Sequence, residues 1–189
     1  MKTTPLDDLR NRWIQLGCGQ HSLPSPWEDY DREVNIEKPL PFPTESARFI
    51  FAEHLIEHIP FTAGLAFLKE CWRVLEPGGV LRLCFPDVTR FLELNGPRVE
   101  QYRLFLLSRG VRDSGPDDVF RHIIEGSGHR SLWSSETCFP VLAALKFEEI
   151  AEYNYGDSEH AELRSIERHH FSVPESVAIA ETTIIEATK

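Results

Sequence analysis

The stretch RFIFAEHLIEHIPFTAGLAFLKECWRVLEPGGVLRLCFPD, residues 48–87, decides the fold of this chain. An unbroken apolar run at residues 49–52 is typical of a strand that is covered on both faces of a parallel sheet. Apolar residues at helical spacing then predict a helix with Thr62 as its N-cap, which the Pro-Gly-Gly at residues 77–79 ends. A second apolar strand follows at residues 80–87, so the stretch predicts a βαβ unit with parallel strands and a right-handed crossover.

The segments on either side extend this sheet. Upstream, the apolar residues 13–16 run into the Gly-Cys-Gly of residues 17–19, which predicts a buried strand that ends in a tight loop. A second short strand is predicted at residues 32–36, ahead of a proline-rich loop that excludes helix and central strand. Downstream, two more strands are predicted at residues 147–155 and 176–187.

Length and charge limit the class of protein. The chain has 189 residues, of which 41% are hydrophobic and 26% charged, so it can bury one sizeable core. We therefore expect a single domain over residues 1–189. The formal charge of −10 disfavours a nucleic-acid partner, because gripping phosphate backbones needs clustered lysine and arginine.

Cysteine content and the chain start predict the compartment. Four cysteines occur without a C-x-x-C pair, which is typical of reduced thiols and implies no disulfide framework. The first residues, MKTTPLDDLRNR, lack the apolar run of a signal peptide, and no stretch approaches the roughly 18 apolar residues of a membrane span. We expect a cytoplasmic protein without a membrane partner, and the sequence does not predict its oligomeric state.

Inside the fold-deciding stretch, His54, Glu57 and His58 spell H-x-x-E-H, the inverted zinc-peptidase signature. Such a site needs both imidazoles on one stable helix and a third ligand from elsewhere. Pro60 pushes Ile59 away from helical geometry, so a helix here has little more than one turn. We therefore predict no metal ligands, keep a zinc hydrolase as an alternative, and expect Glu57 and His58 to fix the turn before the next helix.

Three motifs follow one another along the chain: IQLGCG, LPFPTESARFIFAEHLIEHI and FLKECWRVLEPGGVLRLCFPD. In this order they resemble the class I S-adenosylmethionine-dependent methyltransferases, most closely the small type 11-like group, over residues 13–90. The resemblance implies an α/β, Rossmann-like three-layer sandwich. Its mostly parallel sheet would have an antiparallel C-terminal strand and would be shortened between family strands 1 and 4. It also implies S-adenosyl-L-methionine as the cofactor.

The resemblance assigns cofactor contacts position by position. It places the loop after the first strand against the amino-acid portion of the cofactor and one leucine beside the adenine. It places the turn after residues 49–52 at the methyl-transfer side. The residues concerned are Gly17, Cys18, Gly19, Leu40, Glu53 and His54.

One position departs from the family pattern. In the family, an acidic side chain at the end of the second strand accepts hydrogen bonds from the ribose hydroxyls. The matching position here is Asn35, an amide that cannot offer the charge-assisted acceptance of a carboxylate, so Glu37 takes the role or cofactor affinity is reduced. The connection after Gly19 is also short and replaces the usual helix.

Methyl transfer from a sulfonium is an in-line displacement, so the protein mainly aligns donor and acceptor and excludes water. A base is needed only if the acceptor carries a proton that must leave. The candidates, in descending order, are His54, Asp87 and His129, because imidazole titrates near neutral pH and Asp87 follows a strand at its ligand-binding end.

The acidic composition argues against DNA or RNA as the methyl acceptor and leaves small molecules, sugars or a protein side chain. The resemblance favours a small-molecule or glycan-type acceptor. A non-catalytic binding module with the methyltransferase fold remains the first alternative, because of Asn35 and the short glycine loop. The H-x-x-E-H zinc hydrolase remains the second.

Overall fold

The computed structural model describes residues 10–92, 96–111, 115–126 and 128–189. Its centre is a six-stranded sheet in the order β2-β1-β3-β4-β6-β5. The strands are β1 Arg12–Leu16, β2 Trp27–Tyr30, β3 Ala47–Glu53, β4 Leu75–Pro86, β5 Glu148–Tyr153 and β6 Thr182–Thr188. The α-helices are α1 Phe61–Val74, α2 Pro97–Ser108, α3 Pro116–Arg121, α4 Ser135–Ala144 and α5 Glu175–Glu181.

The sheet topology confirms the predicted fold class. Strands β1 to β4 pair in parallel, and β6 runs antiparallel to both β4 and β5. The chain leaves β1 towards β2 on one side and returns to β3 on the other. The carboxyl ends of β1 and β3 therefore form a topological switch point, where open α/β sheets bind ligands.

One face of the sheet packs against α1 and α4. Alternate strand residues, represented by Ile14, Ile50 and Leu83, meet the apolar stripes of the two helices, including Leu68 and Leu142, in the largest apolar cluster. Because strand side chains alternate between faces, these positions form a continuous core layer. This face has the packing that the apolar periodicity predicts.

The other face is covered by the segment of residues 154–171, which lies between β5 and α5 and contains two short 3₁₀ turns. Phe49 and Phe51 of the sheet pack there against Leu163 and Ile166. The outer layer on this side is therefore mostly coil, where the family resemblance predicts helices.

A cap lies at the carboxyl edge of the sheet. It is formed by α2, α3 and α5, which share a separate small core that includes Tyr102, Val119 and Val177. Residues 122–126 continue α3 as a π-helical turn. The cap brings side chains from the middle of the chain over the ends of β3 and β4.

Several predicted elements were wrong. Residues 32–36 form turns, and the second strand is Trp27–Tyr30, an edge strand whose polar residues hid it. The N-cap of α1 is Pro60, with no side-chain cap from Thr62. Residues 175–181 are helical, so only the second half of the predicted C-terminal strand exists.

The connection between β1 and β2 and the character of the helices bear on two further expectations. Between β1 and β2 the described residues contain no helix, as the short connection predicts. None of the helices in the described ranges combines the length and apolar character needed to cross a bilayer. That residues 1–189 form one domain stays a prediction.

Candidate functional site

The loop after β1 needs glycine at its first position. Gly17 has φ +71°, and a Cβ built on it would lie 2.7 Å from Cδ1 of Leu55. Its N–H donates to the carbonyl oxygen of Tyr30 at 2.7 Å, which ties the loop to the end of β2. Gly19 has φ +54° and open space around it. Both glycines adopt a left-handed backbone conformation. Because glycine has no side chain, a ligand can approach the main chain closely at the open position, Gly19.

The loop opens into a cavity of about 330 Å³ at the switch point between β1 and β3. We call it the glycine-loop cavity, and its walls include residues 17–21, Glu53, His54, Arg168 and His169. It has the place in the fold that nucleotide-type ligands occupy in open α/β sheets.

Glu53 ends β3 and faces this cavity. Its Oε2 accepts the N–H of Arg168 at 2.7 Å and its Oε1 accepts the N–H of His169 at 3.1 Å. Burial raises the pKa of Glu53 to about 7, against the two backbone donors, which lower it. The carboxyl group thus holds the coil segment in place and keeps one wall of the cavity acidic.

His54 follows directly and has φ +46°, a backbone conformation that few non-glycine residues adopt. Its ring stacks on that of His169 with centroids 3.7 Å apart. Its Nε2 lies 2.9 Å from Oγ1 of Thr182, and its Nδ1 lies 3.4 Å from Oε1 of Glu57. Burial lowers the pKa of His54 well below its usual value, helped by the charges of neighbouring histidines and opposed by Glu181. The ring is therefore uncharged at neutral pH.

A second cavity of about 310 Å³ lies on the far side of the stacked rings, under the cap. We call it the histidine cavity. It shares His54 and His169 with the glycine-loop cavity and adds three histidines and one tyrosine from the turn after β3 and from the cap. These are His58, His122, His129 and Tyr102. The two cavities meet at His54.

Glu57 lies beneath the histidine cavity with a side chain that is 1% exposed. Both of its carboxylate oxygens lack a hydrogen-bond partner among the described residues. Burial raises its pKa to about 7, and the nearby imidazoles of His58, His129 and His169 pull in the opposite direction. The expected turn-fixing contact comes from its backbone carbonyl, which accepts the N–H groups of Arg130 and Ser131.

On the far side of the stack, His169 contacts Glu181. Nε2 of His169 lies 2.7 Å from Oε1 of Glu181. Burial alone would raise the pKa of Glu181, but the hydrogen bonds to His169 and Tyr102 help to bring it below its usual value. Sequence reasoning missed these partners, because only the fold brings residues 169 and 181 to the end of β3.

The structure brings together five of the predicted cofactor residues. Gly17, Cys18, Gly19, Glu53 and His54 all line the glycine-loop cavity.

The other three predicted cofactor residues lie elsewhere. Asn35 follows the turns after β2 instead of a strand end, and its Oδ1 accepts the N–H of Glu37 at 2.9 Å. Glu37 is exposed and pairs with Arg130 at 2.8 Å. Leu40 is buried in the core, and its N–H donates to Glu70. The prediction of Asn35 and Glu37 rested on a second strand at residues 32–36, whereas that strand is Trp27–Tyr30.

Two acidic residues lie at the second strand. Asp29 lies within β2 and Asp31 directly follows it. Oδ1 of Asp29 is buried without a hydrogen-bond partner among the described residues. Burial raises the pKa of Cys18, and the charges of Asp29, Asp31 and Glu33 add to this effect against a hydrogen bond from Ser22. Three carboxylates therefore lie close enough to Cys18 of the glycine loop to raise its pKa.

The predicted bases differ in placement. His54 borders both cavities and His129 lines the histidine cavity. Asp87 directly follows β4 as predicted, but Oδ1 accepts from Thr89 and Oδ2 from Ser135 and Thr183. These contacts fit a structural role, and Asp87 lines neither of the two cavities.

The H-x-x-E-H residues do not share an α-helix. Residues Ile56–His58 form a single 3₁₀ turn, which ends before Pro60. The helical scaffold of an inverted zinc peptidase is therefore absent, as Pro60 predicts.

The chain has a sequence relationship to one family. Residues 28–83 match the sequence profile of a family described as methyltransferase domain. A comparison with curated protein sequences finds no significant match.

Solved structures share the fold over nearly the whole chain. An S-adenosylmethionine-dependent methyltransferase from Archaeoglobus fulgidus has a TM-score of 0.55 and 12% identity, with 95% of this chain and 86% of that chain covered. A possible histamine N-methyltransferase from Thermotoga maritima has a TM-score of 0.53 and 18% identity, with coverages of 95% and 83%. Phosphoethanolamine N-methyltransferase 2 from Haemonchus contortus, in complex with S-adenosyl-L-methionine, has a TM-score of 0.52 and 13% identity, with coverages of 95% and 49%. At these identities the likeness establishes the fold.

Proposed function

We propose that this chain is an active class I S-adenosylmethionine-dependent methyltransferase of the type 11-like group, as the match of residues 28–83 and the shared fold indicate. S-adenosylmethionine binds in the glycine-loop cavity, and the methyl acceptor binds in the histidine cavity. The observation that carries this proposal is the meeting of the two cavities at His54, at the switch point of the sheet.

The residues of the glycine-loop cavity fit the cofactor's chemistry. A cavity of about 330 Å³ is within the usual range of small-ligand sites. The carboxyl group of Glu53 lies on the wall of this cavity and suits a ligand with a cationic amino-acid portion. Two further carboxylates, Asp29 and Asp31, lie at the end of β2, which pairs with the end of β1. In the family the ribose acid ends the second strand, so we assign that role to Asp31, which directly follows β2, in place of Asn35 or Glu37.

When bound, S-adenosylmethionine supplies an electrophilic methyl group on a sulfonium. The protein's own contribution is alignment and the exclusion of water. His54 is held by the stacked ring of His169 and by its contact with Thr182, so it forms a rigid divider between donor and acceptor. An acceptor that carries a proton would find His54 as a proton-accepting side chain at the boundary of the two cavities.

The acceptor is a small molecule or a sugar of the glycan type. The histidine cavity is small, at about 310 Å³, and mixes apolar walls with imidazoles. The net charge of −10 supports an acceptor without a polyanionic backbone.

The test is ligand-dependent stabilisation. A ligand that binds only the folded state stabilises it, by about 2.7 kcal/mol at a hundred times its Kd. We expect S-adenosylhomocysteine to raise the melting temperature of the wild-type chain. No shift with either adenosyl ligand would contradict the proposal and favour the non-catalytic module.

Matched variants locate the ligand. We expect Asp31→Asn to weaken S-adenosylhomocysteine binding about tenfold by calorimetry, the scale of one lost charge-assisted hydrogen bond. Glu37→Gln, at an exposed carboxylate paired with Arg130, is the control and should leave the affinity unchanged. The reverse order would return the ribose site to Glu37.

A further inference from the structure

A cluster of one carboxylate and two imidazoles, Glu57, His58 and His129, lies beside the histidine cavity. Glu57 and His58 stand on the 3₁₀ turn after β3, and His129 reaches the same point from the segment that follows the cap. The carbonyl oxygen of Glu57 accepts the N–H groups of Arg130 at 2.7 Å and Ser131 at 3.1 Å. Two backbone hydrogen bonds therefore fix the His129 segment against the turn.

The side chain of Glu57 has no described partner for either oxygen, although it is only 1% exposed. A buried carboxylate without hydrogen bonds or a counter-charge is costly, so such groups are normally paired or coordinate a metal. Oε1 of Glu57 lies 3.9 Å from Nε2 of His58 and 3.4 Å from Nδ1 of His54. Oε1 of Glu57 therefore lies near two imidazole nitrogens without a hydrogen bond to either.

The hydrogen bond of His129 to a backbone carbonyl leaves its other ring nitrogen available as a metal ligand. Nδ1 of His129 lies 2.5 Å from the carbonyl oxygen of Ile123, so Nδ1 carries the proton and donates it, which leaves Nε2 with a free lone pair. Histidines that bind metals generally donate their other N–H to a carbonyl or carboxylate in this way. His58 has a side chain that is 39% exposed, which leaves the cluster open to the cavity.

We propose that Glu57, His58 and His129 form a binding site for one divalent transition-metal ion at the floor of the histidine cavity. Their ligand atoms lie within 4.8 Å of one another. Two imidazoles and one carboxylate are a ligand set of catalytic zinc sites and of non-haem iron(II) sites, which keep positions open for a substrate. The H-x-x-E-H string thus contributes its last two residues, while His54 divides the cavities.

A neighbouring cluster of His54, His169 and Glu181 is a weaker candidate. Its groups already have hydrogen-bond partners, because His169 lies 2.7 Å from Glu181 and His54 lies 2.9 Å from Thr182 outside the cluster. The rings of His54 and His169 also stack 13° from parallel, so they do not converge on one point between them.

A metal ion at this site would determine which chemical class of methyl acceptor can bind. This inference rests on the proposed methyltransferase function. The open positions of the ion face the cavity that we assign to the acceptor, and imidazole and carboxylate sites of this kind bind oxygen ligands and polarise them. The acceptor is therefore a molecule with a hydroxyl or carboxyl oxygen that binds the ion. Metal binding itself requires no methyl transfer.

The test is calorimetry of the full chain, freed of metal with a chelator and titrated with Zn²⁺ and separately with Co²⁺. We expect one ion per chain with a Kd of about 1 µM or lower. His58→Ala, His129→Ala and Glu57→Gln should each weaken binding by more than the roughly tenfold to hundredfold that loss of an outer contact costs. The visible spectrum of bound Co²⁺ should change in the same variants.

Matched controls separate this site from its neighbours. His170→Ala lies outside the cluster, and His169→Ala removes a ligand of the weaker candidate; both should keep the ion. S-adenosylhomocysteine binding should persist in His58→Ala, so loss of metal and loss of cofactor are distinguishable. Circular dichroism checks folding, and the half-exposed His58 keeps the test valid if Glu57→Gln is unstable. A wild-type chain that binds no ion, or an ion lost in His169→Ala and kept in His58→Ala, overturns the proposal.

Discussion

The two faces of the sheet are covered by different kinds of layer, which are held in place by different interactions. On the helix-covered face, Ile50 and Leu83 pack against α1 and α4, whose backbones satisfy their own hydrogen bonds. On the coil-covered face, Arg82 is completely buried and binds Glu167 and Glu186 beneath residues 154–171. Coil lacks a regular hydrogen-bond ladder, so its attachment needs specific polar contacts. Buried apolar area holds the helices against the sheet. Arg82, Glu167 and Glu186, which we call the charged network, hold the coil against it.

The coil-covered face also carries the candidate site. Glu53 lies on the same strand face as Phe49 and Phe51, and it binds the N–H groups of Arg168 and His169. The coil segment of residues 154–171 thus places His169 against His54. Changes to the charged network should therefore reach the site, whereas changes to the helix-covered face should alter stability alone.

The largest effect is expected from Arg82→Met. Arg82 donates through Nε to Glu167 at 2.8 Å and through Nη1 to the carbonyl oxygen of Asp157 at 3.0 Å. Its removal leaves two buried carboxylates without a counter-charge, which costs about 3–5 kcal/mol of unfolding free energy. Urea unfolding measures the loss.

A compensated variant sharpens this prediction. Combining Arg82→Met with Glu167→Gln and Glu186→Gln removes all three charges, so no buried carboxylate is left without a counter-charge and most of the lost stability should return. If the triple variant is as unstable as Arg82→Met alone, the cost comes from packing and the charged-network account is wrong.

The second effect, of about 3 kcal/mol, is expected from Leu68→Ala on the helix-covered face. Leu68 is 0% exposed within the apolar cluster, and truncation of such a leucine removes its transfer energy and leaves a cavity. Leu68→Met keeps the volume and should cost less than about 1.5 kcal/mol. Both proteins should bind S-adenosylhomocysteine with wild-type affinity in the folded state, and an altered Kd would contradict the division between the two faces.

The same division explains what the sequence predicts about the fold. β3, α1 and β4 have strong local apolar patterns, and the structure confirms their order and type. β2 was misplaced because only Trp27 of its residues is deeply buried, so it lacks an apolar run. α5 was read as strand because its apolar residues are continuous, while the helix is set by packing against α2.

The site divides in a similar way. The glycine loop and His54 follow strand ends, so sequence order alone places them. His169 meets the site only because residues 167–169 are anchored to the sheet, across a separation of 115 positions between Arg168 and Glu53. No local signal marks such a contact. The adjacent pair His169 and His170 looks like a solvated loop until the fold brings one of its rings against His54.

The third prediction concerns pH and Glu53. Burial raises the pKa of this group from 4.5 to about 7, so between these values the folded state holds more protons than the unfolded state. Stability from this group is therefore lost as pH rises from 4.5 to 7 and is constant above. Glu53→Gln should flatten the profile by on the order of 1–3 kcal/mol across that window.

The measurement is denaturant unfolding at several pH values for both proteins, since groups that titrate equally in each cancel in the difference. Glu149→Gln, on the surface of β5, serves as the matched control and should keep the wild-type slope. Parallel profiles for the wild type and Glu53→Gln would show that this carboxyl group is ionised at little cost in the folded chain.

An effect of similar size to that of Glu53→Gln is expected from Ser158→Ala, at the edge of the charged network. Oγ of Ser158 donates to Oε2 of Glu186 at 3.0 Å and accepts the N–H of His160 at 3.0 Å. The variant removes both bonds and leaves one carboxylate oxygen unsatisfied, which costs about 1–3 kcal/mol in the wild-type background. In the triple variant without charges, Glu186 has become a neutral amide, so the same change should cost less. A double-mutant cycle measured by urea unfolding gives the coupling, and equal costs in both backgrounds would mean that Ser158 acts on the coil alone and lies outside the charged network.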